Sequence, residues 1–102
     1  MTNIRIEYQV VYTEEHNGCA EITGIISPTE GEQRLVVVSV EVDNIELLPS
    51  YRVDFSQSGT AAELPVLKVF NPLPGREYLV ALLIYEHDEV RRLESTLVLC
   101  EV

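Results

Sequence analysis

Cations are scarce in this sequence: seven Lys and Arg stand against 17 Asp and Glu, a net charge of −10. Nucleic-acid backbones and anionic membranes would repel such a surface at long range, so neither is expected as a partner. There are only two histidines, His16 and His87, each beside acids. A metal centre wants three or four converging ligands, and nucleophilic catalysis wants a base next to a Ser or Cys. Neither pattern is present, and the five scattered glycines form no phosphate-cradling loop. No enzyme activity, metal or cofactor is therefore expected. No apolar stretch approaches the roughly 20 residues that cross a bilayer as a helix. The start, Met1 to Ile6, has no basic region followed by an apolar run, so no secretory signal is expected. On that reading the chain is cytoplasmic if Met1 is its native start, or else a domain cut from a longer protein.

What is present is period two. Ile4, Ile6, Tyr8, Val10 and Tyr12 share one parity and alternate with Arg5, Glu7 and Gln9, the mark of a half-buried strand. The turn residues His16-Asn17-Gly18 end it. A second strand is predicted over 19–27, closed by Ser27-Pro28-Thr29-Glu30-Gly31. The third, 34–42, is nearly all β-branched. A break over 44–49, with one helical turn at most over 45–48, precedes a short strand at 51–55. Residues 56–62 read as loop. Pro65 opens a fifth strand ending near Phe70, and Asn71-Pro72-Leu73-Pro74-Gly75 reads as a turn. The sixth strand, 77–86, is the most apolar, and a last one covers 90–101. Strands at this spacing, with turn signals between them, predict one all-β domain over residues 1–102. The expected fold is a seven-stranded antiparallel β-sandwich.

The run Phe70-Asn-Pro-Leu-Pro-Gly-Arg-Glu-Tyr78-Leu-Val80-Ala-Leu82 resembles the corner before the sixth strand of fibronectin type III domains, within the broader immunoglobulin-like class. The resemblance implies that Tyr78 is a corner tyrosine, its ring in the core and its hydroxyl tied to the loop backbone, with Leu73 packing beneath it. The family's usual tryptophan on the second strand is missing here, and Ile22 or Ile26 stands in its region. The strand from Leu79 to Glu89 and the near-terminal Cys100 also resemble, more loosely, the receptor-binding domains of the macroglobulin and complement family. Those domains carry a helix for which this chain has no room.

In such a sandwich Cys19 and Cys100 fall at the same pole, so either a bridge or two separate thiols fits the sequence. Two surfaces suggest themselves as binding sites. If Val36, Val38 and Val40 point inward with Tyr78, Val80, Leu82 and Ile84, then Leu35, Val37, Leu79, Ala81, Leu83 and Tyr85 point outward as one apolar patch. Such a patch suits a homodimer or a neighbouring domain, unless a bulge or long side chains cover it. The pole holding Glu30, Glu32, Glu63, Glu86, Asp88 and Glu89 suits a basic partner surface, or is a set of solvated turns. Two functional readings follow. One is a non-catalytic protein–protein interaction or assembly module of immunoglobulin-like fold. The other is a small acidic inhibitor or immunity-type protein that covers a basic surface.

Overall fold

The computed structural model describes residues 4–28, 35–55 and 61–102. Over these the chain forms eight strands: β1 (Ile4–Thr13), β2 (Cys19–Pro28), β3 (Leu35–Val42), β4 (Ile45–Asp54), β5 (Ala62–Glu63), β6 (Leu67–Phe70), β7 (Glu77–Glu86) and β8 (Glu89–Val98). They build two antiparallel sheets. In the first, β1 pairs with β2, and the short β5 and β6 both pair with β2; the second runs β4-β3-β7-β8. The two form an all-β sandwich. Among the described residues no helix is long and apolar enough to cross a membrane.

Side-chain parity explains the layering. Ala20, Ile22 and Ile26 of β2 and Leu67 of β6 are buried from one side, and Val36, Val38, Val40, Val80, Leu82 and Ile84 of β3 and β7 from the other. Phe55, Leu64 and Leu99 fill the ends of the same cluster. Burying a side chain of this kind stabilises by about 1.5–3 kcal/mol each.

Two strands depart from the sequence reading. Residues 45–48 are neither a break nor a helical turn, because β4 begins at Ile45 and runs to Asp54. Asp43 and Asn44 both take left-handed backbone (φ 50 and 66), which closes a two-residue hairpin directly from β3. Pro49 is accommodated because β4 lies at the edge of its sheet and its register with β3 shifts between Val38 and Glu41. The second departure is β5, a two-residue strand at Ala62–Glu63 against Ile25 and Ile26, at a place that reads as loop. Among the described residues the strand count is thus eight rather than seven.

The corner before β7 has Tyr78 buried in the core, its hydroxyl accepting a 2.8 Å hydrogen bond from the Leu73 backbone N–H. Leu73 itself does not pack beneath the ring: its side chain is 58% exposed, and Pro72 is the buried residue of that turn. The contribution of Leu73 is its amide, not its side chain. Arg76 lies 4.4 Å above the Tyr78 ring and pairs with Asp43 at 2.8 Å. Asp43 also accepts from the Leu79 N–H at 2.9 Å and donates its own N–H to the Leu79 carbonyl. The corner and the β3–β4 turn are therefore clamped together. Gly75 suits this turn because its φ of +71 lies in the left-handed region that favours glycine.

Cys19 and Cys100 are both free and both buried. They share a pole, but Cys19 pairs with Thr13 and Phe70, one step out of phase with the core-facing Ala20. Its side chain thus starts on the outer face of the first sheet. The Cys100 thiol donates to the Glu101 carbonyl at 3.6 Å, and Tyr12 beside it pairs with Ala20 and starts on the inner face.

Candidate interaction surface

β7 sits between β3 and β8, so both of its edges are paired along the sheet and only its outward side chains can meet a partner. Those are Leu79, Ala81, Leu83 and Tyr85, which register against Glu41, Ser39 and Val37 on β3 and against Thr96, Glu94, Arg92 and Val90 on β8. The sequence-predicted patch therefore maps onto one face of the second sheet, with Leu35 at its far end beside Asp54 of β4.

The patch is not uniformly open. Ala81 is only 1% exposed, so it is not part of the accessible surface. The cause is Arg92. Its guanidinium hydrogen-bonds Glu41 at 2.8 Å and Glu94 at 3.1 Å, the two residues that flank Ala81 in register, and reaches Asn44 at 3.1 Å. The side chain thus crosses β7 and lies over Ala81. Those hydrogen bonds, first to Glu41 and then to Glu94, raise the Arg92 pKa still further. A second cover is Tyr85, whose hydroxyl lies 3.2 Å from the Ser39 Oγ on the neighbouring strand. The ring leans along the sheet, and Ser39 is 2% exposed as a result.

What stays open is the end nearest the β7–β8 hairpin. Val37, Tyr85 and Val90 are cross-strand partners in one row over three strands, continued on β4 by Arg52. Leu35, Tyr85 and Val90 are 50%, 38% and 57% exposed, enough to present a shared apolar surface. Leu35, Val37 and Tyr85 line a shallow concavity of ≈ 350 Å³ together with Glu86 and His87. Val90 was missed by the sequence reading. Its signal was the two-residue hairpin: with His87-Asp88 as the turn, Glu86 faces Glu89 and Tyr85 must face Val90.

The acidic residues are more dispersed than the sequence suggested. Asp88 and Glu89 are exposed at the hairpin, where a ≈ 380 Å³ depression is lined by residues 86–89. Glu86 lies in the same turn but is 9% exposed and takes the inward parity of Ile84, so it is not a free surface acid. Glu63 sits on β5 opposite Ile25, on the outer side of the first sheet. Glu30 and Glu32 lie outside the described residues. Asp88 and Glu89 are thus the predicted acids that border the open apolar row directly.

The histidines stand at opposite ends of the molecule, His16 in the β1–β2 turn edge-on to Phe70 and His87 in the β7–β8 turn. Among the described residues no group of His, Cys, Asp and Glu is placed to hold a metal ion. No protein-family model, curated protein or solved structure matches this chain.

Proposed function

We propose that this chain is a non-catalytic protein-interaction module with an immunoglobulin-like sandwich of the fibronectin type III kind. It docks a protein partner on the open end of the second sheet's outer face. Two observations support the subtype: the strand order, β1-β2-β6 against β4-β3-β7-β8, and the Leu73–Tyr78 corner. The single observation that carries the function is the row Val37–Tyr85–Val90, half-buried at Val37 and exposed at Tyr85 and Val90, with exposed Leu35 at its side and Asp88 and Glu89 at its border. An apolar centre with a charged rim is the usual composition of a specific interface. The charge of −10 opposes pairing with a second copy and favours a partner whose own apolar centre has a basic rim.

The inhibitor-type reading uses the same surface and is favoured by the exposed hairpin acids. It differs in its target, a basic active site or nucleic-acid-binding face.

The test is differential capture from the native host with the wild-type chain and with Tyr85→Asp/Val90→Asp, alongside sedimentation of the isolated chain. The reading expects a monomer and a basic partner retained by the wild type and lost with the double variant. Equal retention by both chains would overturn it, and so would a stable dimer dispersed by the same substitutions. Whether the partner is an enzyme or nucleic-acid-binding protein blocked by the complex then separates the inhibitor from the assembly module.

A further inference from the structure

Asn17, Asn44 and Asn71 are all exposed and all take left-handed backbone (φ 67, 66 and 53), yet a different residue follows each: Gly18, Ile45 and Pro72. We propose that Asn17 is a site of spontaneous covalent modification. It deamidates through the Gly18 nitrogen, and the isoaspartate so formed opens the pole of the sandwich that holds Cys19. This site is independent of the docking face above, because the β1–β2 turn lies at the opposite end of the molecule from the β7–β8 hairpin.

Water is the only co-reactant. The Gly18 nitrogen gives up its proton and bonds to Cγ of Asn17, the bond from Cγ to Nδ2 breaks, and ammonia leaves with that proton. Water then opens the cyclic imide. Cleavage between the imide nitrogen and Cγ gives aspartate. Cleavage between that nitrogen and the main-chain carbonyl carbon of residue 17 gives isoaspartate, in which the backbone runs through the former side chain. Glycine has no side chain to crowd the attacking nitrogen. Ile45 is β-branched and shields the nitrogen that follows Asn44, and Pro72 has no N–H to give up. Arg92 also holds the Asn44 carboxamide at 3.1 Å, whereas no described residue bonds that of Asn17.

The fold gates this reaction and is changed by it. Gly18 is buried, and its N–H donates to the Glu15 carbonyl at 3.0 Å, so the nitrogen is free to attack only when the turn frays. Fraying is favoured by three consecutive residues at positive φ, His16 at 54, Asn17 at 67 and Gly18 at 109, of which two are not glycine. On its other side Gly18 accepts from the Asn71 N–H at 2.9 Å, which ties the turn to the end of β6. Isoaspartate at position 17 adds a methylene to the main chain just before Gly18. The bonds to Glu15 and Asn71 cannot then both keep their geometry. The displacement falls on the next residue, Cys19, which begins β2 and is only 5% exposed in the intact fold.

The test ages the whole purified chain in mildly alkaline buffer, folded and in denaturant, and follows each asparagine by peptide mass and isoaspartate content. Asn17 should convert in the folded chain well ahead of Asn44, and at least about fivefold faster in denaturant, the factor that one net hydrogen bond supplies. Asn17→Gln, which would have to close a larger ring, should stay unmodified. In the isoaspartate form the Cys19 thiol should react with an alkylating reagent about fivefold faster than in the fresh chain, as expected for the loss of one such bond. Freshly purified Asn17→Asp, which carries the new charge without the added methylene, should keep Cys19 as protected as the wild type. Several results would overturn the proposal. They are conversion of Asn44 as fast as Asn17, an Asn17 that converts in denaturant but stays intact in the folded chain, unchanged Cys19 reactivity in the isoaspartate form, or equal deprotection by Asn17→Asp.

Discussion

β1 and β7 are both ten residues long, yet they solve opposite problems. β1 lies at the edge of the first sheet and alternates apolar with polar side chains, so each half-buried residue is followed by an exposed one. β7 lies inside the second sheet and is apolar on both faces, and burial runs through Val80, Ala81 and Leu82 without a gap. A strand covered by neighbours on both sides has an outward row that needs a cover too. Arg92 and Tyr85 supply that cover over Ala81 and Ser39, and it runs out towards the hairpin. A surplus of apolar residues in an inner strand is therefore partly structural, and only its uncovered remainder is available for binding.

Substitutions can sharpen this contrast. The largest expected effect is Leu82→Ala, at a fully buried inward position of β7, which should cost about 2–5 kcal/mol in denaturant unfolding. Ile6→Ala on β1, a partly exposed site, should cost no more than about half as much. Equal losses would mean that the edge strand contributes as much core as the inner one. Next comes Arg92→Ala, which strips the lid from Ala81. The folded chain should then bind a hydrophobic dye more strongly and tend to self-associate, while its circular dichroism stays that of a β protein. Unchanged dye binding would show that Ala81 is buried without help from Arg92.

The smallest effect concerns β1. The Tyr8 hydroxyl is buried with no hydrogen-bond partner among the described residues, and burial pushes its pKa up to about 12. Its folded pKa lies above the unfolded value of about 10, so the fold favours the neutral phenol. That contribution is complete below pH 10 and is lost as pH rises from there through about 12. Tyr8→Phe should leave neutral-pH stability unchanged or raise it by up to about 1 kcal/mol. It should also flatten the alkaline fall. A variant clearly less stable at pH 7 would reveal a hydroxyl contact that this account lacks.

The alternation of β1 and the double-sided apolarity of β7 were legible in the sequence because parity alone fixes them. Strand β4 was not, since Asp43-Asn44 and Pro49 read as breaks when taken singly. Only the pairing with β3 shows the first to be a hairpin turn and the second an edge residue. At the corner the sequence pointed to Leu73, but the bond comes from its amide, and a sequence motif does not distinguish side chain from backbone. The patch was legible as a face and not as an exposed area. Burial of Ala81 depends on an arginine whose reach across β7 follows from three-dimensional register. Cys19 and Cys100 were correctly brought to one pole, while the face from which Cys19 springs follows from its step out of phase with Ala20.

Hydrogen exchange on the chain bound to its captured partner is the most direct measure of which surface is used. New protection should appear in 83–92 and around Leu35 and Val37, where the outer face is bare, and fade towards Leu79. Protection confined to β1 and β2, with the β7–β8 hairpin exchanging as in the free chain, would contradict the assignment of that face as the docking surface.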